Sequence, residues 1–145
     1  MKGRNLLDKE KIIERMSDIK NAALKLKQFQ KTSLKEFTQD EKNYPLTCFH
    51  LRIALEAVLT IATHIISRLP PNGKRKDYTQ VILSLADYKV IPQKFAQKIK
   101  GMAGYRNRLV HLYWKVEPEE ILATIKKDLK DFDQFIKHIE TFLKK

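Results

Sequence analysis

The stretch PLTCFHLRIALEAVLTIATHIISR, Pro45–Arg68, decides how this chain must fold. Leu51, Leu55, Val58, Leu59, Ala62, Ile65 and Ile66, with Leu69 just beyond, recur at three- and four-residue steps, the spacing of one helix face. Phe49, Ile53, Ala57 and Ile61 fill a second face, so apolar groups surround most of the circumference. A helix of that kind must be enclosed by its neighbours, and Pro45–Arg68 is therefore expected as the central helix of a bundle. Upstream, Ile12, Met16, Ile19, Ala23 and Leu26 alternate four- and three-residue steps, predicting a helix from Asp8 to Gln30. Leu34 and Phe37 then suggest a short turn in a polar stretch. Downstream, Pro70, Pro71, Asn72 and Gly73 break the chain, and Lys74–Asp77 reads as a charged loop before a short helix over Tyr78–Ala86. Pro92 is suited to the first turn of a helix running to Tyr113 or Trp114, because its missing amide hydrogen needs no partner there. Pro118, Glu119 and Glu120 open the last helix with acidic groups at its positive end. Leu122, Ile125, Leu129, Phe132, Ile136, Ile139 and Leu143 carry its rhythm onward. Strand signals are nearly absent. The expectation is one all-α domain over residues 1–145, an up-and-down bundle of four long helices and one short helix.

Composition narrows the chemistry. The chain has 145 residues, 43% of them apolar, which is enough to bury a core. Lys and Arg number 29 against 17 Asp and Glu, a formal +12, which favours a polyanionic partner. Cys48 is the single cysteine, so a disulfide framework or multi-cysteine metal site within the chain is excluded, and its apolar surroundings make it a small core residue. No acidic cluster or His–Cys spacing suggests a metal, no glycine-rich loop suggests a phosphate cradle, and no cofactor is expected. Met1–Asp8 is too polar for a signal peptide, and no uninterrupted apolar run approaches the roughly 18 residues needed to cross a bilayer. These features predict a cytoplasmic protein that does not engage a membrane.

The segment GMAGYRNRLVHLYW, Gly101–Trp114, carries the unusual residues. On an ideal helix, Ile99, Met102, Leu109, Val110 and Tyr113 all fall within about 60° of Arg106, placing the arginine inside an apolar stripe. Burying an unpaired guanidinium costs on the order of several kcal/mol, so Arg106 needs a partner or a task. Glu56 of the central helix is the natural partner, and such a pair serves either structure alone or the positioning of Arg106 for chemistry. His111 has an arginine, an amide and a tyrosine close by in the chain, whereas His50, His64 and His138 read as ordinary helix residues. Arg106 and His111 nevertheless point about 140° apart on one helix. Either the helix loosens near Gly104 or its end, or two copies meet. Gly101 and Gly104 would permit close helix approach, which suggests a homodimer with a composite cleft.

The string RNRLVHLY resembles the R-x4-H-x-Y signature of HEPN-domain toxins of the HepT type. Arg106 stands at the arginine, Asn107 follows it, His111 stands at the histidine and Tyr113 at the tyrosine. The Ile53–Ala57 stretch and the long helix after the motif are similar to that family too, so the resemblance runs from about Gln39 to Leu143. It implies a metal-independent endoribonuclease toxin that works as a homodimer on RNA. It also implies a nucleotidyltransferase antitoxin of the MNT type as partner, with adenylylation of Tyr113 as the means of neutralisation. The residues suit such chemistry. RNA supplies its own nucleophile in the 2′-hydroxyl, so the protein must accept a proton and stabilise charge on phosphorus. Histidine titrates near neutrality and arginine offers a planar fork to phosphate oxygens. Asn107 is expected to orient His111 or hold a phosphate oxygen, and Tyr113 to bind or stack on RNA. Lys98, Lys100, Arg108 and Lys115 are expected to form an RNA-binding rim, or otherwise a solvated basic face. Two other readings stay open: a non-catalytic HEPN module that binds nucleotide or scaffolds a nucleotidyltransferase, and a helical interaction protein whose charge serves solubility or an acidic partner.

Overall fold

The structure, a computed structural model, describes residues 7–70, 76–111 and 115–145. Its elements are α1 (Lys9–Lys27), α2 (Leu34–Gln39), α3 (Asn43–Ser67), α4 (Tyr78–Asp87), α5 (Gln93–Ile99), α6 (Met102–His111) and α7 (Pro118–Leu143), and no strand occurs among the described residues. The all-α expectation holds. Local chemistry sets many of the boundaries. Asp8 caps α1 by accepting from the Lys11 amide at 3.1 Å. The expected turn at Leu34 and Phe37 is a true helix because Ser33 and Glu36 form a reciprocal capping box, with bonds of 3.1 and 3.0 Å. Asp77 and Gln80 do the same for α4. Pro118 sits in the first turn of α7 with Glu119 and Glu120 behind it.

The helix expected to run unbroken from Pro92 to Tyr113 or Trp114 is two helices. Pro92 is the N-cap of α5 rather than its first helical residue, and α5 ends at Ile99. Lys100 and Gly101 turn the chain before α6 begins at Met102. Gly101, which lacks a Cβ and has low helix propensity, is where the regular ladder gives way. The expected third long helix is thus replaced by two short ones, and the motif helix α6 takes its own direction.

α3 is the central helix, packing against α1, α4, α6 and α7. It is long and apolar enough to suit a membrane span by length and composition, although His50, Arg52, Glu56 and His64 interrupt the run. In the fold it is the core helix, with Leu51, Leu55, Val58, Ala62 and Ile65 at or below 1% exposure. It is not enclosed all round, however, for Phe49 is 53% exposed and Ile53 only half-buried. α1 lies antiparallel to α3, since the Asp8 amide at its start donates to His64 Nε2 near the end of α3 at 3.0 Å. It is also antiparallel to α7, as Lys20–Glu140 and Lys27–Asp133 ion pairs at 3.7 and 3.5 Å show. The core cluster runs from Ile12 to Phe142 and holds the expected stripes of α1 and α7 except Ala23, which is buried outside it, and Leu143, which is half-buried.

Candidate active site

α6 is held on two sides. Against α3, Arg106 Nε lies 3.4 Å from Glu56 Oε2, the partner expected from sequence. The same carboxylate oxygen is 3.4 Å from Arg52 Nε, one turn earlier on α3, so Glu56 is shared by two guanidiniums. Against α7, Arg108 makes a two-point contact with Glu120 at 2.6 and 2.9 Å, and the Tyr105 hydroxyl donates to Thr124 Oγ1 at 3.1 Å. Glu120 raises the Arg108 pKa above its usual value. Burial pushes the Tyr105 hydroxyl up to about 12, keeping it protonated as a donor. These contacts fix the orientation of α6 and therefore of its outward-facing groups.

Arg106 is half-buried rather than sealed, with 26% of its side chain exposed. It reaches the wall of a groove of about 360 Å³ along α3, together with Glu56. Its Nη1 donates to Asn107 Oδ1 at 3.0 Å. Asn107 thus contacts Arg106 in this structure, a partner outside the two expected roles of orienting His111 or holding a phosphate oxygen. His111 is the last residue of α6 and is exposed. It does not line the groove that Arg106 enters. The α-helical path of α6 from Arg106 to His111 keeps the two groups pointing apart, and a single chain does not bring them to one point. Tyr113 lies outside the described residues.

The four residues expected as a basic rim have different situations. Lys98 Nζ is 2.9 Å from Asp131 Oδ1, a carboxylate with only 8% exposure. Arg108 is engaged by Glu120, and its guanidinium also lies 5.9 Å from the Tyr105 ring centroid. Lys100, just past the end of α5, donates from Nζ to Gln97 Oε1 at 3.0 Å. Lys115 is exposed. Lys98 and Arg108 therefore spend their charge on carboxylates that lock α5 and α6 to α7. Sequence reading passed over the opposite side of Arg106, where Thr60, Thr63 and Ser67 line the groove with Lys11 and Tyr78. Their signal was present as three hydroxyl residues at three- and four-residue spacing in the C-terminal half of a mainly apolar helix.

The glycines of α6 and its approach face open space. A Cβ built on Gly101 or Gly104 meets no heavy atom within 4 Å. Among the described residues, no other helix uses the close approach they permit. Among the described residues no group of three or more His, Cys, Asp or Glu is arranged to hold a metal. Cys48 is half-buried, and burial raises its thiol pKa, leaving it protonated.

A family model for the HepT-like ribonucleases matches residues 19–139. The chain is 27% identical over 118 residues to a tRNA nuclease HepT of Aphanizomenon flos-aquae, covering 81% of this chain and 80% of the relative. It is 28% identical over 128 residues to an mRNA nuclease HepT of Shewanella oneidensis, covering 86% and 92%. A solved structure of a tri-AMPylated Shewanella oneidensis HEPN toxin in complex with MNT antitoxin is similar over 90% of this chain and 97% of that one, at 26% identity and a TM-score of 0.76. With the family model spanning all but the chain's ends and an all-helical structure presenting the R-x4-H residues on one helix, this protein belongs to the HepT-like ribonuclease family.

Proposed function

We propose that this protein is the endoribonuclease toxin of a toxin–antitoxin pair, acting in the cytoplasm without a metal through Arg106 and His111. The observation that carries the reading is the placement of Arg106. It is fixed by Glu56 yet open at a groove, on the same helix as an exposed histidine.

In this mechanism the 2′-hydroxyl of the substrate gives its proton to His111 as its oxygen attacks the adjacent phosphorus. Arg106 stabilises the charge that grows on the phosphoryl oxygens, and the bond to the 5′-oxygen breaks as that oxygen takes up a proton. The leaving strand carries a 5′-hydroxyl and the other a 2′,3′-cyclic phosphate. Because Arg106 and His111 diverge on α6, the catalytic pair comes from two copies of the chain, with the open face of Gly101 and Gly104 available for the approach. Asn107 holds the Arg106 guanidinium in plane through its side-chain oxygen. Lys100 and Lys115 lie on the surface that meets RNA, whereas Lys98 and Arg108 act mainly as braces.

The antitoxin is a nucleotidyltransferase of the MNT type, a reading supported by the likeness to the AMPylated Shewanella toxin in its complex. The acceptor is Tyr113, two residues beyond His111. An adenylyl group there adds bulk and negative charge beside the catalytic pair and repels RNA. The test is an RNA cleavage assay in chelator. Wild type is expected to cut, while His111→Ala and Arg106→Ala lose at least about 100-fold in rate with unchanged helical content. A doubly substituted protein that still cuts would remove the assignment. Unfolding of Arg106→Ala together with full activity in His111→Ala would return the arginine to a structural role.

A further inference from the structure

The groove that Arg106 enters continues away from it along α3. Glu56, Thr60, Thr63 and Ser67 follow one another at helical spacing on this face, a path of about 16 Å at 1.5 Å per residue. Its far end is closed by Lys11 from α1, Arg68 after α3 and Tyr78 at the start of α4. Three cationic side chains therefore line a space with a single carboxylate, and that carboxylate is already shared between Arg52 and Arg106. Among the described residues no carboxylate pairs with the Lys11 ammonium. The Arg68 guanidinium is steadied by donation to Ser67 Oγ at 2.9 Å, and Ser67 in turn donates to the His64 carbonyl at 2.7 Å. Tyr78 leaves 45% of its surface exposed at the rim.

We infer that this groove is a subsite for single-stranded RNA, taking a nucleotide that flanks the scissile bond. Lys11 and Arg68 receive its backbone phosphate and Tyr78 stacks on its base. The inference rests on the ribonuclease reading above and extends it to residues outside the R-x4-H motif. Charge selects the ligand class, for Lys11, Arg68 and Arg106 line the groove against the single carboxylate of Glu56. An aromatic face beside cations and hydroxyls matches the stacking platforms and charged tracks by which proteins hold unpaired strands. The groove length exceeds one nucleotide, so a strand with its reactive phosphate at Arg106 extends naturally toward Tyr78.

The test uses the full chain and a fluorescent 2′-O-methyl RNA octamer, which keeps its phosphates and bases but cannot supply the attacking hydroxyl. Binding is followed by anisotropy over a salt series for wild type, Lys11→Ala, Tyr78→Ala and Lys35→Ala, the last removing an exposed lysine away from the groove. Tyr78→Ala is expected to weaken binding about fivefold or more with no change in salt slope. Lys11→Ala is expected to weaken binding and make the slope of log K against log salt shallower by about 0.7, one phosphate contact on a single strand. Both altered residues are exposed, so circular dichroism should match wild type. If Lys11→Ala and Tyr78→Ala bind as wild type does while wild type still cuts unmodified RNA, the subsite is wrong and the ribonuclease reading stands. An equal loss in Lys35→Ala would assign the effect to diffuse charge and overturn the subsite as well. A wild type that neither binds the octamer nor cuts RNA would overturn both.

Discussion

Two buried or half-buried side chains show how a partner decides what a charged group does. Glu56 lies at ion-pair distance from two guanidiniums at once, so Arg106 is oriented without being sealed off. A half-exposed pair of this kind contributes little to stability, about 1 kcal/mol or less, and its value lies in geometry. His64, 7% exposed, shows the opposite case, a structural histidine whose Nε2 accepts the Asp8 amide and thereby ties α1 to α3. Acceptance at Nε2 requires the neutral ring. Burial lowers the His64 pKa, with Arg68 and Lys11 adding to the effect and Asp8 opposing it. The unfolded chain binds a proton at His64 more readily than the folded one. Stability from this group is therefore complete above the unfolded value of about 6.5 and is lost as pH falls through the lower folded value. Denaturant midpoints should fall between pH 7 and pH 5 in the wild type. The fall should be smaller in His64→Gln, which keeps an acceptor but does not titrate. An identical pH profile in the two proteins would exclude His64 as the source.

At the scale of the element, α6 is short, bounded and carries a glycine in its interior. Gly104 costs a helix about 0.5–1 kcal/mol relative to alanine, and within this chain there is no steric reason to retain it. Gly104→Ala should therefore raise the stability of the isolated chain by a few tenths to about 1 kcal/mol. If the glycine face receives a second copy, the same substitution should weaken self-association in sedimentation at micromolar concentration. A gain in stability with unchanged association would place the copy-to-copy contact elsewhere. The separation of α5 from α6 belongs to the same scale. Helical periodicity runs straight through Lys100 and Gly101, and the side chains on either side are consistent with one continuous face. A turn at that point lets α5 pack against α4 while α6 reaches α3 as well as α4. One straight rod would not satisfy both.

Across the whole molecule, the divergence of Arg106 and His111 turns the catalytic question into one of assembly. Each lies on the same ten-residue helix, and the exposed position of His111 leaves it available to a second copy. Mixing Arg106→Ala protein with His111→Ala protein should then restore activity that neither has alone. With random pairing, half the dimers are mixed and one of their two sites is intact, giving about a quarter of wild-type activity. No recovery after exchange of subunits would mean that each chain completes its own site. The formal charge of +12 acts at this scale too, drawing RNA toward the surface before any groove is engaged.

The order of apolar residues along the chain determined that this protein is helical, which helix is central and which residues fill the core, because periodicity and capping are short-range properties. The unusual residues around Arg106 were equally plain, as was Glu56 as the natural counter-charge, since a guanidinium in an apolar stripe demands one. Tertiary packing decided the rest. It split the helix at Gly101, exposed Phe49 on a helix expected to be enclosed, and spent Lys98 and Arg108 on Asp131 and Glu120. It also gathered Lys11, Thr60 and Tyr78 into one groove from three different helices. Such convergence depends on the angles at which helices cross, and those are set by side chains meeting across distances that no local pattern encodes.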